Sequence, residues 1–124
     1  MAILRHGTTQ QRALQILAHG PDPDFVEPGG GSSRAEGFAT CLASGPFPLG
    51  TPEDYARAKA RLFPGEGGPA IVEVEVGDNL LALTDQVFFP LSQGVIQFDE
   101  GAGLEELRAA WPALPKQIQA VKSS

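Results

Sequence analysis

The chain has 124 residues, 42% hydrophobic and 19% charged, with nine Lys/Arg against fifteen Asp/Glu and a net charge of −6. That composition predicts one domain over residues 1–124 with a real core, excludes a disordered chain, and gives no general electrostatic reason to bind nucleic acid. Fifteen glycines and eleven prolines interrupt the chain too often for a helical bundle.

The apolar run Ala2-Ile3-Leu4-Arg5-His6 predicts a first strand, ended by a turn at Gly7. Thr8, with Gln11 three residues on, predicts a capped helix over Gln10 to His19 carrying Ala13, Ile16 and Leu17 at helical spacing. Gly20-Pro21 stops it. Residues 21–36 hold Gly29-Gly30-Gly31-Ser32-Ser33 and are expected to form a long, mobile loop that orders over a ligand. Gly37 to Leu42 predicts a second short strand, and residues 43–50 a turn. Thr51-Pro52-Glu53-Asp54 is a strong helix start, with Thr at the cap, Pro at the first helical position and acids in the first turn, and the helix runs to about Leu62. Ala70 to Val76 alternates valine with Glu73 and Glu75, the clearest strand pattern in the chain, with the two glutamates on a solvated face. Asn79 to Thr84 and Val87 to Phe89 read as short strands or as one apolar turn. Gly94 to Phe98 predicts the last strand and Leu104 to Trp111 a helix stopped by Pro112. Ile118 to Val121 reads as a last turn or an edge strand.

This order lacks the βαβ alternation of a doubly wound sheet, and no G-x-G-x-x-G follows the first strand. The expected class is α+β, a small, mostly antiparallel split sheet with short helices. Cys41 is the single cysteine, so no internal disulfide forms, and no Cys/His pairs stand at zinc spacing. No stretch approaches the ~20 apolar residues of a membrane span. The first residues show no signal-peptide pattern, so the expected setting is a reducing cytoplasm with no membrane partner.

His6-Gly7-Thr8, between an apolar strand and a helix ending Ile16-Leu17-Ala18-His19-Gly20, resembles the opening of the ADP-ribosyltransferase superfamily. The likeness is to its His-Tyr-Glu members, which include the poly(ADP-ribose) polymerases. Gly37-Phe38-Ala39-Thr40 looks like the second strand of that family, and Asp54-Tyr55-Ala56-Arg57-Ala58-Lys59 like the helix after it. The resemblance covers most of residues 3–100 and rests on short motifs. It implies NAD as the cofactor and transfer of ADP-ribose to an acceptor the sequence does not name, or cleavage of NAD.

The resemblance also implies roles. His6 contacts a ribose hydroxyl, Gly7 offers its backbone N–H and C=O to the nicotinamide amide, and Thr8 completes the cofactor-binding turn. A residue without a side chain lets backbone and ligand approach closely. Either Phe38 or Tyr55 stacks on the nicotinamide ring. The family's glutamate, which stabilises positive charge as the glycosidic bond breaks, falls on Gln93 or on Glu100. Glutamine keeps a hydrogen bond to a hydroxyl but loses the charge. Arg5 and Arg34 are candidates for the pyrophosphate. The competing reading of the same residues is a degenerate, non-catalytic module that binds a nucleotide or a protein. In blander terms, Gly7 is a plain turn, Thr8 a helix cap, Phe38 and Tyr55 core packing, and Cys41 a small buried hydrophobe.

Overall fold

The computed structural model describes residues 1–22, 38–99 and 101–123. In chain order they form β1 (Ala2–Thr9), α1 (Gln10–His19), β2 (Phe38–Leu42), α2 (Pro52–Leu62), β3 (Pro69–Val76), α3 (Asp78–Leu81), β4 (Val95–Phe98), α4 (Ala102–Ala110) and β5 (Lys116–Ala120). Single 3-10 turns occupy Pro64–Glu66, Leu91–Gln93 and Trp111–Ala113. The strands make one five-stranded sheet in the order β4-β2-β1-β3-β5, with every neighbouring pair antiparallel. The fold is therefore α+β, an antiparallel sheet dressed with short helices.

Two boundaries differ from expectation. β1 does not stop at His6 with a turn at Gly7; it runs on to Thr9, because every residue from Ala2 to Thr9 finds a partner on β3, from Ala2↔Val76 to Thr9↔Pro69. The helix cap accordingly moves one residue. Thr9, not Thr8, accepts from the Arg12 N–H at 3.3 Å, and Thr8 lies fully buried in the strand. The apolar stretch after β3 turns as the short helix α3 and a following turn, with Leu80 buried and Val87 and Phe88 exposed. The last segment is an edge strand, β5.

Strand alternation sorts the sheet into two faces. Leu4, Val72, Val74, Val76, Phe38, Ile96 and Phe98 share one face, packed against Ala13 and Ile16 of α1, Leu80, Leu104, Leu107 and Trp111. The Trp111 indole N–H donates to the Leu17 carbonyl, locking the end of α4 under α1. On the other face α2 lies across β1 and β3. Its sheet-facing stripe is Pro52, Ala56 and Lys59, one turn apart and all buried. Lys59 stands in the last turn of α2, where a cation suits the helix dipole, and the packing of α2 buries it. Among the described residues, no helix is long and apolar enough to cross a membrane.

Candidate functional site

β1 and β2 lie side by side but pair only at Leu4↔Leu42 and Arg5↔Cys41. The hydrogen bond from Ala43 N–H to the Ile3 carbonyl sets the phase of this ladder: odd-numbered residues of β1 aim their backbone groups at β2. Arg5 opposite Cys41 continues that phase. The next such pair would be Gly7 with Ala39, and no pair is registered there among the described residues. The Ala39 carbonyl is taken instead by the imidazole of His6, whose Nδ1–H donates to it at 2.7 Å. The N–H and C=O of Gly7 thus point toward β2 at the level where the registered pairs end.

His6 sits on the core face of β1, 7% exposed, with Phe38 at 5%. Their rings lie 4.5 Å apart between centroids at a 38° tilt, within the range of a favourable aromatic contact. A carbonyl can only accept, so the bond to Ala39 holds the proton on Nδ1 and fixes the ring's orientation. Thr8 follows on the same face of the strand and is fully buried. The structure therefore brings His6, Thr8 and Phe38 to one side of the sheet, with the Gly7 backbone between them.

The remaining candidates fall elsewhere. Tyr55 is on α2, across the sheet from His6, with its ring tip close to Gly50. Its hydroxyl is raised above the ordinary 10.0 by burial, then by the neighbouring Cys41 and Asp54. Gln93 is exposed in the 3-10 turn before β4. It lies beyond Cys41↔Val95, the last registered β2–β4 pair, at the end of a strand that is separated from β1 by β2. Glu100 and Arg34 lie outside the described residues, as does most of the expected 21–36 loop.

Gly7 has a packing reason for its lack of a side chain. A Cβ there would stand 2.1 Å from the Pro52 carbonyl oxygen and 2.8 Å from the Ala56 nitrogen, so the first turn of α2 needs a glycine beneath it. Arg5 points to the same α2 face. Its guanidinium meets Glu53 at 3.1 Å, Glu73 at 3.3 Å and the Gln119 side-chain carbonyl at 2.9 Å. Those contacts tie α2, β3 and β5 to the central strand, and they turn Arg5 away from anything that touches His6. Glu73 is correspondingly a half-buried ion-pair partner and not a freely solvated one.

Beside this network Cys41 is buried, and desolvation pushes its thiol up to about 11, outweighing the lowering by Arg5. Burial thus favours the protonated thiol, the less nucleophilic form. Among the described residues no group of three His, Cys, Asp or Glu side chains is placed to hold a metal ion. Reading the sequence missed the Ala39 carbonyl and the partners of Arg5. Only the alternation of Glu73 hinted at the second of these. No family model, no curated protein and no solved structure matches the chain.

Proposed function

We propose that this domain binds NAD, with the nicotinamide end at the parting of β1 and β2, in the manner of an ADP-ribosyltransferase. One observation carries the reading: the Gly7 amide and carbonyl face β2 at the level where the registered β1–β2 pairs end and the His6 side chain holds the Ala39 carbonyl. A backbone N–H and C=O side by side match the acceptor and donor of a carboxamide. Phe38 supplies an aromatic ring at the same place. Of the two stacking candidates, the geometry favours Phe38, since Tyr55 belongs to the α2 layer.

A second reading, binding without turnover, is favoured by the identity of Gln93. It can donate or accept a hydrogen bond at a hydroxyl but carries no charge. Without a carboxylate at the ribose, the cationic transition state loses its main electrostatic support.

Calorimetric titration with NAD, ADP-ribose and nicotinamide tests the binding reading. NAD and nicotinamide are expected to compete, and His6→Ala to weaken NAD about tenfold, the loss of one good hydrogen bond and its ring contact. No saturable heat with any of the three would end it. Release of nicotinamide from bound NAD then decides between transferase and binding module.

A further inference from the structure

The outer edge of β5 has the features of a strand-acceptor site. The bonds from Val121 N–H to the Pro69 carbonyl and from Glu75 N–H to the Pro115 carbonyl show that odd-numbered residues of this segment pair inward with β3. The backbone groups of Lys116, Ile118 and Ala120 therefore point outward, along the edge of the sheet. Natural edges are commonly blunted by a lysine that projects over them. Here the Lys116 ammonium is folded back, donating to the carbonyls of Trp111 at 2.8 Å and Leu114 at 3.1 Å.

The edge segment itself carries only positive charge, and the neighbouring acids Glu73 and Asp54 are ion-paired with Arg5 and Arg57. Lys116 to Lys122 contains two lysines and no acid, in a protein of net charge −6. Past the end of the strand, a groove of about 320 Å³ opens between α2 and residues 121–123, with an apolar floor from Ala60, Pro64 and Pro69 and the two arginines Arg57 and Arg61 at its walls. Arg57 is braced there by donating to the Lys122 carbonyl at 2.9 Å and by an ion pair with Asp54 at 3.5 Å. Arg61 is exposed and has no acidic partner among the described residues, which makes it the cation best placed for a ligand. On its inner side β5 already accepts a strand alternating valine and glutamate, with Gln117 donating to Glu73 at 2.9 Å.

We infer that the outer edge of β5 accepts an extended acidic peptide as a sixth strand, with acidic side chains directed along the α2 face toward the Arg57–Arg61 groove. Main-chain bonds to Lys116, Ile118 and Ala120 would supply affinity, and the basic groove would select for acid. A second copy of this chain fits less well, because antiparallel β5–β5 pairing about Ile118 sets Lys116 of each copy opposite Ala120 of the other and gathers four lysines and no acid along one seam.

The test uses the whole chain and a fluorescent peptide with the sequence of residues 69–76, read by anisotropy, and its all-glutamine counterpart. Saturable binding is expected for the acidic peptide and at least about tenfold weaker binding for the glutamine form. Ala120→Pro removes an outward N–H at an exposed edge position, where proline is tolerated, and should abolish binding. N-methylation of alternate peptide residues should do the same without touching the protein. Arg61→Glu should weaken binding and flatten its salt dependence. Equal affinity for the glutamine peptide, retention of binding by the N-methylated peptide, or no saturable binding would overturn the proposal. So would a concentration-dependent dimer of the free protein that Ala120→Pro dissolves, which would make a second copy the occupant.

Discussion

The absent side chain of Gly7 and the buried thiol of Cys41 make two residue-scale predictions. A methyl on Gly7 would meet backbone atoms of α2, which cannot swing aside as a side-chain tip can. Gly7→Ala is therefore expected to cost about 2–4 kcal/mol, at or above the usual overpacking range, with a matching fall in the urea midpoint. A loss below 1 kcal/mol would mean that α2 is not seated as described. For Cys41, burial raises the thiol from 9.0 to about 11. The native state keeps this proton where the unfolded state releases it, so the contribution is complete below pH 9.0 and is lost as pH rises toward about 11. The expected size is about 2–3 kcal/mol. Denaturant midpoints of wild type and Cys41→Ala should differ in slope over that window, with the variant the flatter.

At the scale of elements, the helices are held by their ends. α2 starts with a complete capping box: the Thr51 hydroxyl accepts from Asp54 N–H at 3.2 Å, and the Asp54 carboxylate accepts from Thr51 N–H at 3.1 Å. That backbone bond is the main reason the Asp54 carboxyl lies below its ordinary 3.8. Its contribution holds above that value and fades as pH falls through the lowered one. Thr51→Ala should cost about 1 kcal/mol at neutral pH in thermal unfolding. α1 is pinned by Glu66, which accepts from Thr9 Oγ1 at 2.8 Å and from Arg12 Nε at 2.7 Å, with Phe63 4.1 Å beneath the guanidinium. Glu66→Ala is expected to cost about 2–3 kcal/mol, because these bonds are charge-assisted and half-buried. Glu66→Gln, which keeps the hydroxyl acceptor, should cost less. Both helix starts show in the sequence as Thr followed by helical spacing. The pin from Glu66 does not, since it lies 54 positions from Arg12.

For the whole molecule, the weakest seam of the sheet is the one that holds the candidate site. β3 pairs with β1 over eight residues, whereas among the described residues β2 is joined to β1 through two registered pairs, the Ala43–Ile3 backbone bond and the His6–Ala39 bond, and β4 reaches β1 only through β2. Backbone amides of β2 and β4 should therefore exchange hydrogen faster than those of β1 and β3, opening as one unit. His6→Ala should speed exchange in β2 and β4 further and leave β3 and β5 unchanged. Uniform protection across the sheet would contradict this picture.

The sequence by itself determined the α+β class, the start of α2 and the identity of β3, because capping and alternation are written in residues a few positions apart. The resemblance also named His6, Gly7, Thr8, Phe38 and Tyr55 for the cofactor, of which the folded chain sets the first four on β1 and β2 and Tyr55 on α2. The end of β1 was decided by tertiary structure, since a strand continues as long as its neighbour offers partners, and β3 offers them through Pro69. The same holds for the separation of Tyr55 from His6. A helix beginning at Thr51 can pack on either face of a sheet, and α2 chose the face of Gly7, Arg5 and Cys41. The acceptor of His6 lies 33 positions away and the Gln119 partner of Arg5 lies 114 positions away. Nothing local specifies such contacts, because they exist only after the strands have found their order.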